Sequence, residues 1–264
     1  MMSWHAAAGI ATAGGIATAT SMAAVTSMAT AAGMAAAGSG LALTSLLAYG
    51  TFSPNCPLFG PVIGHGPSTA RRVYLTFDDG PNPGATERIL DVLAAAQVPA
   101  AFFQVGNHVR RFPAIARRVA DAGYEIGNHT DQHAKLHCKG PRFTRHALTA
   151  AHQTLVDVTG ATPRSFRAPH GYHTPFVHRA ARELGYDVIG WSYGVWDTAL
   201  PGSEVIRARV RRGLKPGAVI LLHDGDGYDP QGDRRQTADA LPGIVRDVRD
   251  AGYEFAPLSE LMAR

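Results

Sequence analysis

Two adjacent carboxylates, Asp78 and Asp79, lie within Thr76-Phe77-Asp78-Asp79-Gly80-Pro81. Like charges this close repel unless a cation or a proton shares the site, and Gly80-Pro81 sets a tight turn that keeps both carboxylates near one place. One can then ligate a metal while the other stays free as a base; an Asp-Gly turn with no chemistry is the plainer alternative. His129-Thr130-Asp131-Gln132-His133 spaces two imidazoles at i and i+4, which on a helical turn brings both to one face and one ion. Thr130 stands where a zincin would carry its glutamate base, and an exposed helix face would have the same spacing. Phe166-Arg167-Ala168-Pro169-His170-Gly171-Tyr172 offers Arg167 as a fork for a carboxylate. After Pro169 it also offers a stiff backbone whose N–H suits an oxyanion; an ordinary loop arginine is again the alternative. Val219-Ile220-Leu221-Leu222-His223 is an apolar run ending in an imidazole, as catalytic and satisfied core histidines both do. An Asp with two His makes a three-ligand catalytic metal site with open positions, so these stretches say more together than singly.

The elements that must position them alternate. Strands are expected at 73–77, 100–105, 124–127, 165–167, 188–191, 218–223 and 254–257, and helices at 85–96, 113–122, 142–158, 175–184, 204–212 and 237–251. This order predicts a parallel sheet closing into a distorted (β/α) barrel of about seven strands. In such folds the active-site residues come from the C-terminal ends of strands. Asp78 and Asp79 follow the first strand, His129 and His133 the third, Arg167 the fourth and Asp197 the fifth, and His223 ends the sixth.

With 45% hydrophobic and 17% charged residues, the chain can bury a core and is not disordered by composition. All 25 basic and 21 acidic residues lie at or after Arg71. The chain therefore reads as a low-complexity Ala/Gly/Thr-rich segment (1–50), an uncharged linker (51–70) and a catalytic domain (71–264). Residues 28–49 are long enough to cross a bilayer. A membrane anchor or an export signal is expected there, with a membrane-associated or exported, cell-envelope location; a disordered extension and a later start at Met22, Met28 or Met34 are the other readings. The net charge is +4, but the basic residues come as separated pairs with no interleaved aromatics, so no nucleic-acid partner is expected, and no protein partner is indicated. Cys56 and Cys138 are too few for a disulfide framework, and a single bridge stays open. No phosphate-binding GxxxxGK, dinucleotide GxGxxG or GxSxG elbow occurs. Asp224, Asp226 and Asp229 resemble a calcium loop, but Tyr228 holds its fifth position and no Glu closes it, which leaves a polar loop at the barrel mouth. His108, His137, His146, His152, His173 and His178 are expected at the surface.

Taken together, the chain resembles the NodB-type polysaccharide deacetylases, carbohydrate esterase family 4, over about residues 71–264. Five motifs carry the resemblance in order: TFDDGP at 76–81, HTDQH at 129–133, RAPHG at 167–171, the Trp191-to-Asp197 stretch and LLH at 221–223. The resemblance implies a NodB homology domain that hydrolyses N- or O-acetyl groups of sugars with a divalent metal, Zn²⁺ first, with Co²⁺ or Ni²⁺ as alternatives. It implies Asp79, His129 and His133 as metal ligands, Asp78 as general base, His223 as general acid, Arg167 orienting Asp78, and Asp197 paired with His223. Leu221 would wall the acetyl methyl, the His170 N–H would face the oxyanion, and Gly171, Tyr172, Trp191 and Trp196 would contribute to the glycan groove. Two positions depart from the pattern: His170 replaces a commoner aromatic, and Thr198 stands where a Trp is usual, so that wall of the groove is missing or is supplied by Trp191 or Trp196. The expected substrate is an acetylated glycan such as peptidoglycan or a chitin-like oligomer. A lipid-linked sugar deformylase, and a membrane-tethered glycan-binding protein without turnover, are the alternatives.

Overall fold

The computed structural model describes residues 41–262 of the 264. The chain divides into two units, Met1–Ala48 and Tyr49–Arg264. In the first, residues 41–48 are helical, with Leu41, Leu43, Leu46 and Leu47 exposed. Residues 28–40 of the expected membrane span lie outside the described residues, and no helix among the described residues is long and apolar enough to cross a membrane.

The second unit is built on parallel strands β1 (Arg72–Asp78), β2 (Ala101–Gln104), β3 (Glu125–Asn128), β4 (Ser165–Phe166), β5 (Asp187–Val188), β6 (Tyr193–Gly194), β7 (Ala218–His223) and β8 (Glu254–Phe255). Seven of them run in the order β5-β4-β3-β2-β1-β7-β6, and β8 pairs with the start of β1. This is the distorted (β/α) barrel expected from the alternation. Alternation within strands decides which side chains reach the site. On β1, Val73, Leu75 and Phe77 pack outward into the large core shared with the helices, while Tyr74 belongs to the inner cluster with Phe103 and Val219. Thr76 and Asp78 share the inward face with Tyr74, and on β7 Leu221 and His223 share that of Val219. The register pairs Thr76 with Leu221 and Asp78 with His223, so the two catalytic candidates are neighbours across adjacent strands.

The structure departs from the sequence reading in three places. The expected strand 188–191 stops at Val188, and a further strand, β6, forms at Tyr193–Gly194, so Asp197 follows β6 rather than the fifth strand. A short helix, Gly106–Arg111, is added after β2; its six residues are too few for an amphipathic pattern to show. The 51–70 stretch is packed against the barrel. Its Ile63 pairs with Ile189, its His65 pairs with Ala218, and Cys56 is buried. Ile63 accepts from the Gly190 N–H (2.9 Å), and Gly64 O accepts from Ser192 Oγ (2.9 Å), which in turn accepts from the Val219 N–H (2.7 Å). The arm thus pairs on one side with the β5 end of the sheet and on the other with the start of β7.

Candidate active site

Asp78 and Asp79 leave β1 together, although successive residues of a strand point to opposite faces. Asp79 resolves this with φ 76°, a left-handed conformation that turns its carboxylate back to the side of Asp78. His108 Nδ1 meets the Asp79 carbonyl at 2.8 Å. Since a carbonyl only accepts, this nitrogen carries the proton and braces the turn. His108 is thus buried at 1% exposure, not at the surface as expected, and the same holds for His173 and His178. Imidazole bodies fill apolar space well, and a local polar neighbourhood in sequence does not reveal it.

His129 and His133 converge on Asp79 without a helix. The backbone is irregular here, with Thr130 at φ 67° and His133 at φ 52°, so the i, i+4 spacing works through two left-handed residues rather than a helical turn. Asn128 Oδ1 accepts from the Thr130 N–H (2.8 Å), and Thr130 Oγ1 accepts from the His133 N–H (3.1 Å), which holds this unusual path. Asp79 Oδ1 lies 3.3 Å from His129 Nε2 and 3.1 Å from His133 Nε2. His129 Nδ1 donates to the Arg167 carbonyl (2.8 Å), leaving the Nε2 lone pair aimed at the site.

These three buried residues form a group whose ligand atoms lie within 4.8 Å of one another, and among the described residues it is the one cluster able to hold a metal. Asp79 Oδ1 is buried with no hydrogen-bond partner, which is how a carboxylate oxygen reserved for a cation looks. A carboxylate with two imidazoles suits a divalent transition ion. Burial alone would raise the Asp79 pKa, but the two imidazoles hold it well below the usual carboxylate range. Burial pushes His133 down to about 3, which keeps it neutral and able to ligate.

Asp78 is held by Arg167, whose Nη1 donates to Oδ1 at 2.6 Å. The guanidinium is fully buried. It also donates to Thr76 Oγ1 (2.9 Å) and to the Gly190 carbonyl (2.9 Å), and it stacks on the Phe103 ring at 4.2 Å. A buried ion pair is stable only when its remaining donors are satisfied, and here the strand ends satisfy them. His223 is gripped by Asp197: its Nδ1 meets Oδ1 at 2.8 Å and its N–H donates to Oδ2 at 2.8 Å. Thr237 Oγ1 also donates to Oδ2 (2.8 Å). Burial alone would lower the His223 pKa, but the Asp197 charge outweighs it and pushes the imidazole up to about 9, so His223 is protonated at neutral pH.

A cavity of about 430 Å³ opens over these groups. Asp78, Asp79, His129, His133, Leu221 and His223 form its floor, and His170, Tyr172, Trp191 and Trp196 stand around it, with Thr198 beside Trp196. Arg167, Asp197 and Gly171 lie behind this surface. Gly171 is an expected groove residue that the structure withdraws from the lining: a Cβ there would fall 2.5 Å from the Trp191 ring and 2.8 Å from Pro54. Three more residues contribute: Tyr228 and Asp224, which the sequence reading left in a polar mouth loop without a role, and Arg234, which it did not single out. Tyr228 hydrogen-bonds His170 through Oη and Nε2 (2.8 Å) and packs on His133. Arg234 fastens the 224–234 loop by donating to the Gly225 carbonyl (2.8 Å) and to Asp226 Oδ2 (2.6 Å). Asp224 is buried and accepts from Thr86 Oγ1 (2.6 Å), and burial pushes its carboxyl up to about 7. A carboxylate right after His223 was the one available signal for this loop's role. Cys56 and Cys138 are both free thiols.

Residues 65–189 match the family model described as polysaccharide deacetylase. The chitooligosaccharide deacetylase of Bradyrhizobium sp. (strain ANU 289) is 38% identical over 215 residues, covering 78% of this chain and 97% of its own length. The solved Bc1960 peptidoglycan N-acetylglucosamine deacetylase superposes with a TM-score of 0.71 at 29% identity, covering 76% of this chain and 92% of that one. BA3943 of Bacillus anthracis, described as a pseudoenzyme of carbohydrate esterase family 4, superposes with a TM-score of 0.69 at 27% identity, covering 75% and 68%. The barrel, the Asp-His-His cluster and these likenesses lead to one conclusion: the chain belongs to the NodB-type polysaccharide deacetylases, family 4 of the carbohydrate esterases.

Proposed function

We propose that the protein is a metal-dependent hydrolase that removes acetyl groups from an N-acetylated glycan, such as a chitin-like oligomer or peptidoglycan. The observation that carries this reading is the pairing of Asp78 with His223 across β1 and β7, directly beside the Asp79, His129 and His133 cluster. When bound there, a divalent cation, Zn²⁺ by its preference for imidazole and carboxylate, would polarise the acyl carbonyl and lower the pKa of the attacking water. Asp78, steadied by Arg167, takes the proton from that water as its oxygen bonds to the carbonyl carbon. The backbone N–H of His170 faces the oxygen that becomes negative. His223 then donates its proton to the departing nitrogen as the C–N bond breaks, giving acetate and the free amine. Leu221 packs against the acetyl methyl, and Trp191, Trp196, His170 and Tyr172 hold the sugar.

The test is acetate release from N-acetylglucosamine oligomers by the Zn²⁺-loaded protein, with chelator and with Asp78→Asn as controls. Release that needs the metal and is lost in the variant supports the reading. A protein that binds oligomer without release in any arm is a glycan-binding protein without turnover, and the reading fails. A membrane-bound or exported location in the cell envelope belongs to the same proposal; the charge-free first 70 residues and the exposed leucines at 41–47 support it.

A further inference from the structure

Asn55 lies outside the region 65–189 that matches the family model, in the uncharged arm. Its carboxamide reaches across 136 residues to Trp191. Oδ1 accepts from the Trp191 N–H at 3.2 Å, and Nδ2 donates to the Trp191 carbonyl at 2.8 Å. Two glycines make room for it: a Cβ on Gly64 would fall 2.0 Å from Oδ1, and one on Gly190 would fall 2.1 Å from it. The residue is on the surface, yet both polar atoms of its side chain are engaged and its oxygen is boxed in.

The Trp191 N–H and the Gly190 carbonyl belong to one peptide unit, which is planar and rigid. Asn55 holds the N–H end of that unit. Arg167 Nη2 donates to the carbonyl end at 2.9 Å, and Arg167 Nη1 donates to Asp78 at 2.6 Å. A rotation of this peptide would carry the guanidinium with it, and a fork displaced by a fraction of an ångström no longer meets Asp78 squarely. The neighbouring arm residues stiffen the same wall. Pro54 O contacts His173 Nε2 (3.1 Å), Thr51 O accepts from the His173 N–H (2.9 Å), and Phe52 packs on Tyr172 at 5.2 Å.

We propose that Asn55 is a positioning residue of this deacetylase: through the Gly190–Trp191 peptide it sets the orientation of the Arg167 guanidinium that holds Asp78. The consequence for catalysis rests on the reading of Asp78 as the proton acceptor; the mechanical coupling does not. The full-length Zn²⁺-loaded protein, Asn55→Ala and the isosteric Asn55→Asp are compared on N-acetylglucosamine oligomers. The expected result for Asn55→Ala is a kcat lowered about 10-fold, with the Zn²⁺ dissociation constant changed less than about twofold because no ligand is touched. A loss of stability alone would leave the kcat of the folded protein unchanged. In an Arg167→Lys background the same substitution should cost nothing further, whereas additive losses overturn the proposal.

A second readout needs no substrate. The buried Arg167 guanidinium should give slowly exchanging side-chain signals in ¹⁵N NMR, identified by their loss in Arg167→Lys. They should shift in Asn55→Ala, or in Asn55→Asp should the alanine variant not fold. Unshifted signals overturn the coupling. Shifted signals together with full activity in Asp78→Asn leave the coupling standing and sink only the reading of Asp78.

Discussion

Asp197 holds His223 at two atoms, its ring Nδ1 and its backbone N–H, both at 2.8 Å. A carboxylate in that position fixes the proton on Nδ1 and favours the doubly protonated ring, so the proton available for transfer sits on Nε2. The pairing is made across a strand and a 3₁₀ turn, Asp197–Ala199, which holds the carboxylate fully buried.

The pH dependence of activity follows from this pair. With His223 as the proposed acid, the rate should fall on the alkaline side as pH passes about 9. Asp197→Asn removes the largest of the charges that raise it, while the burial that lowers it and the charges of Asp78 and Asp79 stay. The alkaline limb should then move to lower pH than about 9. A pH profile of kcat/KM for both proteins checks this, and an unmoved limb would exclude His223 as the acid. The same sign applies to stability: the contribution of His223 is complete below about 6.5 and is lost as pH rises through about 9.

Asp78→Asn keeps the shape of the site and removes the proposed proton acceptor. Activity on N-acetylglucosamine oligomers should fall by about 10² to 10⁴. Zn²⁺ binding measured by calorimetry should persist, since Asp79, His129 and His133 remain.

His133→Ala removes one of the three proposed ligand atoms and should abolish tight Zn²⁺ binding. In the wild type, chelation should stop turnover and lower the unfolding midpoint, and added Zn²⁺ should restore both. A ligand present at 100 times its dissociation constant stabilises by about 2.7 kcal/mol. A midpoint indifferent to metal would contradict the assignment of this cluster.

Gly227→Ala tests the loop that packs on the proposed metal ligand His133. A Cβ at this position would fall 2.2 Å from His133 Nδ1, so the imidazole must move. Zn²⁺ affinity should drop about 10-fold, the scale on which groups supporting a ligand act. The unfolding midpoint of the metal-free protein should change less than that of the loaded one.

Ser192→Ala tests the arm at 51–70. The hydroxyl bridges the Val219 N–H and the Gly64 carbonyl, and its removal leaves both without that partner. The site is partly exposed, so a loss of about 1 to 2 kcal/mol is expected, read as a lower midpoint in urea. An unchanged midpoint would mean that water replaces the bridge at no cost.

Most of the candidate set was legible because it follows from local chemistry. Apolar runs of alternating register define β1 and β7, and their inward residues at the C-terminal ends are Asp78 and His223 whatever the rest of the chain does. The motif residues Asp79, His129, His133, Arg167 and Asp197 are likewise named by type and order, and so is a parallel barrel of alternating strands and helices. The sequence alone therefore determined which side chains could do chemistry and, Asp197 apart, on which strand ends they stand.

Tertiary structure decided how they meet. The two histidines reach Asp79 through left-handed residues rather than the helical turn their spacing suggested, because Asn128 and Thr130 hold the irregular path. The buried His108 and Asp224 looked like loop residues, since burial is set by the segments packed over them and not by their neighbours in the chain. The uncharged 51–70 stretch reads as a linker, yet it pairs with the end of β5 and the start of β7. Its role depends on pairings with residues more than a hundred positions away, such as Asn55 with Trp191, and no local periodicity encodes them. Periodicity reports only which face of an element is apolar; which distant backbone groups remain unpaired, and which segment arrives to pair them, emerges once the barrel has assembled.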